Sequence, residues 1–210
     1  MKSMYIGSGD VGALLSGIHT KLHAELLQRF VSGTKPYYNS EASPIDALRT
    51  GVILEKRYLL LLPDDYFAQY ACNCDEMDVF KCSLDFAKIK NGKIVDFDEL
   101  KTCFLTDYLE FEPIKGDGNE ALVGFVKKKY KKYYNQVQQQ LFCTGLNECN
   151  IVFLSVTSYN DDENNGREIL ENEYLKIRIS RDEDVISFIK ERGMIFQTIK
   201  DYHKNNHIKK

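Results

Sequence analysis

At 210 residues, with 43% hydrophobic residues and only 4 prolines, the chain is long enough for one domain with a sizeable core. A formal net charge of −3 argues against a protein coated in positive charge, although a local basic lining for nucleic acid needs no basic total. The longest apolar runs, such as YLLLLP at 58–63, are too short to span a bilayer.

The opening stretch MKSMYIGSGDVGALLSGIHTK has no basic start followed by a long apolar core, so no signal peptide is expected. Ser8 and Asp10 are plausible helix caps, and Val11, Leu14, Leu15, Ile18, Leu22, Leu26 and Leu27 follow at near-helical spacing, predicting a helical region over 8–31. Residues 33–43 hold a cluster of turn formers. A second helix is expected to start at Ser43 or Pro44 and to stop near Pro63. Between 68 and 104 the texture changes to β-branched, aromatic and cysteine residues in AQYACNC, VFKCSLDFAKI and KIVDFDELKTCF, which read as strands. One long helix is expected from about 119 to a C-cap at Gly145. NIVFLSVTSY and YLKIRISR read as strands, and the final amphipathic helix gives way to a polar tail expected to fray over 201–210. The pattern is that of one mixed α/β domain over 1–210 with a central sheet flanked by helices.

The six cysteines, at 72, 74, 82, 103, 143 and 149, match no common zinc spacing, and a chain of this length needs no staples. Free thiols in a reducing cytoplasm are expected. Of the four histidines, the pairs 19/23 and 203/207 stand at helical spacing for chelation but lack further ligands, and both are read as surface features.

The strongest chemical signal is SLDFAKIKNGKIVDFDELK, residues 83–101. Two strand-like runs flank Asn91-Gly92, a hairpin signal. Alternation puts Lys81, Ser83, Asp85 and Ala87 on one face of the first strand, with Phe80, Cys82, Leu84 and Phe86 on the other. A two-residue turn alone would set Leu84 against Glu99, a poor pair. A shift of one residue, by a longer loop or a bulge, pairs Leu84 with Leu100, Asp85 with Glu99 and Ser83 with Lys101, and this second register is the expected one. Two adjacent carboxylates repel unless a cation intervenes. Magnesium prefers carboxylate oxygen and retains waters that a phosphate can displace, and Lys101 beside it would orient or help deprotonate an attacking water. The plainer alternative is a surface ion pair on an ordinary hairpin.

Further along, Tyr133, Gln136 and Gln140 share one helical face, while Gln138 lies on another and is expected at the surface. An amide at Gln136 can both donate and accept, which suits holding a water or a phosphate. From periodicity alone, a core-edge face with glutamines pointing to solvent is the better account of that face. The lysine run KKKYKK at 127–132, including Lys131 and Lys132, suits phosphate contacts or simple solvation. Gly7-Ser8-Gly9 before a helix suits an anion or a bare helix start.

Taken together and in order, IGSGDVGALL at 6–15, Gly51-x-x-x-Glu55, Ser83-Leu84-Asp85, Glu99-Leu100-Lys101 and YYNQVQQQL at 133–141 resemble the lambda exonuclease or YqaJ-like viral recombinase family of the PD-(D/E)XK nuclease superfamily. The resemblance covers most of the chain. It departs at Leu84, where the family usually has proline, and in a longer hairpin. It implies a PD-(D/E)XK restriction-endonuclease-like core and a magnesium-dependent exonuclease acting 5′ to 3′ on double-stranded DNA ends, with two ions and manganese as a substitute. It also implies that Asp85, Glu99, the Leu100 carbonyl and Glu55 hold metal, with Asp75 as a further acidic candidate. Lys101, Gln136 and Tyr133 would complete the catalytic set. Ser83 would contact phosphate near the active site, and Ser8, Arg49, Lys21, Lys131 and Lys132 are candidates for the DNA backbone or its 5′ end. No arginine stands at the start of the first helix, where the family often has one. A trimeric ring and a single-strand annealing protein as partner follow from the resemblance alone. A restriction-like or structure-specific endonuclease and a catalytically silent DNA-end-binding module are the competing readings.

Overall fold

The computed structural model describes residues 4–34, 45–159, 164 and 166–207. Strand β1 (Ile6–Gly7) leads through a 3-10 turn at Ser8–Asp10 into α1 (Val11–Leu14), and α2 (Lys21–Ser32) follows after a break. The helix expected over 8–31 is therefore interrupted. Thr20 is extended and its side chain accepts from the His23 N–H, making it the N-cap of a new helix. Ser16 Oγ bonds both the Ala13 carbonyl and Thr20 Oγ1, holding the break. Helix α2 ends at Gly33, whose φ of 66° suits glycine. His23, expected at the surface, is buried, because this side of α2 packs edge-to-face on Phe196 with ring centroids 5.8 Å apart.

Helix α3 (Ile45–Leu59) runs as expected, and its expected start at Ser43 or Pro44 lies outside the described residues. Strands β2 (Tyr66–Asn73), β3 (Phe80–Lys90) and β4 (Lys93–Phe104) fill the predicted stretch. Short helices α4 (Leu105–Tyr108) and α5 (Glu112–Lys115), which the sequence reading did not anticipate, lead to α6 (Asn119–Lys129) and α7 (Lys131–Thr144). The single helix expected from 119 breaks at Tyr130 (φ −115°, ψ 39°). Its ring enters an aromatic cluster, 4.8 Å from Phe153 and stacked on Phe111 at 5.9 Å. Gly145 caps α7 at φ 71°. Strands β5 (Glu148–Val156) and β6 (Tyr174–Ser180) precede α8 (Glu183–His207). That helix continues through 201–207, where a frayed tail was expected.

The six strands form one mixed sheet in the order β1-β3-β4-β5-β6, with β2 also paired to β3. The β4–β5 pair is parallel, so residues 105–147 form the crossover that carries α4 to α7 over one face. Both faces are covered. Cys149, Ile151 and Phe153 of β5 enter the larger core beneath α1, α2, α6, α7 and α8, while Val152, Leu154 and Val156 enter a smaller one with Leu54 and Tyr58 of α3. Double burial explains the unbroken apolar run of β5. Gly193 lets α8 approach β3, because a Cβ there would collide with the Phe80 ring. Among the described residues, no helix is long and apolar enough to cross a membrane.

Candidate active site

The β3–β4 hairpin combines the two turn solutions weighed from sequence. Asn91 (φ 52°) and Gly92 (φ 73°) make a two-residue turn with both residues left-handed, pairing Lys90 with Lys93 and Ile89 with Ile94. The register then slips by one, and Lys88, Ala87 and Phe86 face Asp96, Phe97 and Asp98. That is the register expected from apolar matching, delivered by a bulge.

The expected rungs beyond it do not form. After Phe86 the ladder ends, and the Leu100 N–H is taken by the Asp85 carboxylate (Oδ2, 2.9 Å) instead of a β3 carbonyl. Leu84 packs in the larger core and Phe86 in the smaller, so the strict alternation expected along β3 is interrupted at Asp85. On the other flank Gln69 has φ 52° and falls at the one gap in the β2–β3 register, between Ala68↔Phe86 and Tyr70↔Leu84. The two strands thus part at Asp85, and its side chain fills the opening.

Glu99 sits at the floor of that opening, 1% exposed. Lys101 Nζ donates to its Oε1 at 2.6 Å, Gln136 Nε2 donates to the same oxygen, and Gln140 Nε2 donates to Oε2 at 2.7 Å and to the Ser83 carbonyl at 3.0 Å. Spacing of four residues puts both amides on one face of α7, which lies against β3 and β5. Lys101 Nζ also stands 5.4 Å from the Tyr133 ring centroid. Burial opposes a charged Lys101, but the Glu99 and Asp85 carboxylates outweigh it and raise its pKa, so the ammonium keeps its proton. Burial pushes the Asp85 carboxyl well above its usual range, reinforced by the Glu99 charge.

Glu55, from α3, faces the same electrostatic field. Burial raises its pKa, and both Lys101 and Glu99 act on it. Its Oε2 accepts from Gln69 Nε2 at 2.8 Å, and Gln69 Oε1 accepts from Ser83 Oγ at 3.4 Å. The structure therefore brings Asp85, Glu99, Lys101, Glu55, Gln136, Tyr133 and Ser83 to one place. Two members were not singled out from sequence: Gln140 as a bridge from Glu99 to β3, and Gln69 as the link between α3 and Ser83. Gln140 was legible as a face-mate of Gln136. No sequence signal marked Gln69, whose role depends on a local backbone turn.

Other candidates lie elsewhere. Asp75 is exposed beyond the Asn73↔Lys81 rung, whereas Asp85 stands four residues further along β3, roughly 13 Å at about 3.3 Å per residue. Strand geometry thus removes it from the cluster. Its neighbours Glu76 and Asp78 instead pair with Lys190, Lys200 and Lys204 of α8. Lys21 is an exposed α2 residue 3.7 Å from Glu25. Arg49 is exposed on α3, six residues before Glu55, and Ser8 is buried where the 3-10 turn packs on α7. The lysine run is divided. Lys127 pairs with Asp182, and Lys129 with Asp107 and Glu110, while Lys131 and Lys132 are exposed and border a cavity of about 650 Å³ with Gly12 and Ser16. Gln138, expected at the surface, is fully buried. It donates to the Ser180 carbonyl and accepts from the Asp182 N–H, tying α7 to the β6–α8 connection.

Beneath the cluster, on the other side of β4, Asp98 is fully buried. It accepts from Tyr58 at 3.0 Å and Asn150 at 2.7 Å and pairs with Lys176 at 2.7 Å. Tyr58 is one helical turn from Glu55, so this bond fixes α3, and with it Glu55, against β4.

Among the described residues, no three His, Cys, Asp or Glu side chains converge closely enough to hold a metal by themselves. A divalent ion would draw on the Asp85 and Glu99 carboxylates, the Leu100 carbonyl and water, a hard-oxygen set suited to magnesium. Two further observations fit such an ion. The Asp85 carboxyl has an environment that disfavours its charge, and the buried Gln140 Oε1 lacks a hydrogen-bond partner beside Glu99.

No family model matches the sequence, and no curated protein matches it. Solved structures do. An alkaline exonuclease (LHK-Exo) from Laribacter hongkongensis is 15% identical, with a TM-score of 0.61 over 99% of this chain and 95% of that one. The same enzyme in complex with dAMP is 18% identical, with a TM-score of 0.55 over 98% and 94%. A phage-related exonuclease from Haemophilus somnus 129PT is 13% identical, with a TM-score of 0.60 over 97% and 96%. Likeness at these identities is one of fold, end to end. The chain shares the overall fold of these solved exonuclease structures, an α/β fold with a mixed six-stranded sheet flanked by helices.

Proposed function

We propose that the protein is a magnesium-dependent deoxyribonuclease that removes nucleotides from one strand of duplex DNA, starting at an end and moving 5′ to 3′. The observation that carries this reading is the buried Glu99, shared by Lys101 and two α7 amides beside the carboxylate of Asp85, at the point where β3 and β4 separate. Two strands and two helices contribute polar groups to one small opening, which a structural ion pair on a hairpin does not require.

Asp85, Glu99 and the Leu100 carbonyl would hold the ion, with Glu55 available once Gln69 releases it. When bound, a divalent ion neutralises the paired carboxylates, polarises the scissile phosphate and lowers the pKa of a coordinated water. This chain's own groups do the rest. The Lys101 ammonium, fixed by Glu99 and the Tyr133 face, supplies positive charge beside the attacking water and the phosphoryl oxygens. Because its pKa is raised, its assigned role is orientation and charge stabilisation, with the proton kept on Nζ. Gln136 and Gln140 hold the Glu99 carboxylate in one orientation. Ser83 and Gln69 present hydroxyl and amide groups at the rim, suited to phosphate oxygens.

Incubation with magnesium and either linear duplex or covalently closed circular duplex tests the reading. Mononucleotide release from the linear form, with 5′-end label lost first and the circle intact, is expected. Cutting of the circle would replace the exonuclease reading with an endonuclease on the same core.

A further inference from the structure

Outside the acidic cluster, the other reactive group in the fold is a set of thiols. Cys72 on β2 and Cys82 on β3 are directly opposed in the antiparallel ladder, and their Sγ atoms are 2.9 Å apart. Cys143, on α7, is in hydrogen-bonding contact with Cys82 and with Cys74. All four are reduced.

We propose that Cys72 and Cys82 form a peroxide-oxidisable pair that closes into a cross-strand disulfide, stapling β2 to β3 one rung from Ser83. Three features of the geometry single out this pair. Opposed residues of antiparallel strands have Cα atoms about 4.5–5.5 Å apart, inside the roughly 4.4–6.8 Å that a disulfide accepts. Their side chains leave the sheet on the same face, and the sulfurs are already in contact. Peroxide reaches the pair through Cys72, the penultimate residue of β2, which is partly open, while Cys74, Cys82 and Cys143 are buried. The Cys143 and Cys72 thiols also draw the pKa of Cys82 below the ordinary thiol range, while the hydrogen bond to Cys82 pushes the Cys72 thiol above it, so Cys82 is the thiolate of the pair.

The step balances with hydrogen peroxide as oxidant. The Cys82 thiolate gives an electron pair to one peroxide oxygen, the O–O bond breaks, and the departing hydroxide takes the Cys72 thiol proton as water, leaving a sulfenic acid on Cys82. The Cys72 thiolate then attacks the Cys82 sulfur. The S–S bond forms, the S–O bond breaks, and hydroxide leaves with the proton that Cys82 had lost as a second water. Two thiols have lost two electrons to one peroxide. A thiol reductant reverses the change.

The test uses the full chain, reduced, treated with a small excess of hydrogen peroxide, alkylated and mapped by peptide mass spectrometry. The expected result is loss of two of the six free thiols and a reducible link between the peptides bearing Cys72 and Cys82. The link should persist in Cys74→Ser and be absent in Cys72→Ser. A link through Cys143, a link that survives in Cys72→Ser, or six thiols still open to alkylation in the wild-type chain would overturn the proposal. Because wild-type mapping decides the matter, a variant that fails to fold leaves the test intact.

Discussion

Glu99 makes three side-chain hydrogen bonds while buried at the sheet centre. Each amide that supports it holds an orientation, so removing one should cost function before it costs the fold. Gln140→Ala would free Glu99 Oε2 and the Ser83 carbonyl together. The expected loss in magnesium-dependent digestion is about 10–100-fold, the range for second-tier partners of metal ligands, read from initial rates on linear duplex. Asp85 gives the opposite balance. Its carboxyl pKa is raised by burial and by Glu99, so the charged form is costlier in the fold than in the unfolded chain. That cost is absent below the unfolded pKa and grows as pH rises toward the folded value. Asp85→Asn keeps an oxygen for the Leu100 N–H and removes the cost. In chelator, its melting temperature should exceed that of the wild type at pH 8, with the gap shrinking toward pH 4, while digestion is lost. A lower melting temperature for the variant at pH 8 would contradict this electrostatic account.

At the scale of elements, the most legible part of the site was the β3–β4 hairpin. Apolar matching of its two strands selected the register that the bulge near Lys88 delivers. What the pattern could not show is that the strands part at Asp85, because alternation assumes an unbroken ladder and the break depends on one carboxylate replacing a backbone acceptor. Helix breaks at Thr20 and Tyr130 were hidden for a related reason: apolar spacing continued through both, while a side-chain cap started a new helix at the first and a packed aromatic ring ended one at the second. Gln138 and His23 were misplaced because polarity stood in for exposure, whereas α8 and its connection to β6 cover both. The long α8 is itself clamped at its far end. Asp78, between β2 and β3, accepts from Gln197 and pairs with Lys200 and Lys204. The Lys204 ammonium, with smaller contributions from Gln197 and Lys200, holds the Asp78 carboxyl far below its usual range. A depressed acid pKa stabilises the fold above the unfolded value and loses that contribution as pH falls through the folded one. Because the pair is about half exposed, Asp78→Ala should cost no more than about 1 kcal/mol. The effect should be local, with faster amide exchange over residues 194–207 and unchanged exchange in β5. Uniform acceleration across the sheet would contradict a local clamp.

For the whole molecule, a sheet buried on both faces carries the acids on its central strands, where neighbouring strands and α7 fix them, while α3 brings Glu55 from the opposite flank. That division explains how the chain can share the fold of a solved exonuclease over nearly its full length at 15% identity: the sheet and crossover tolerate exchange of one apolar residue for another. The central claim is that Asp85, Glu99 and Lys101 act together on a phosphodiester through a divalent ion. Its most direct test is nucleotide release from 5′-phosphorylated linear duplex, comparing wild type with magnesium, wild type with chelator, and Lys101→Ala with magnesium, each checked for a native far-ultraviolet spectrum. Release by the first alone is the expected result. Magnesium-dependent release by a folded Lys101→Ala variant at the wild-type rate would contradict it.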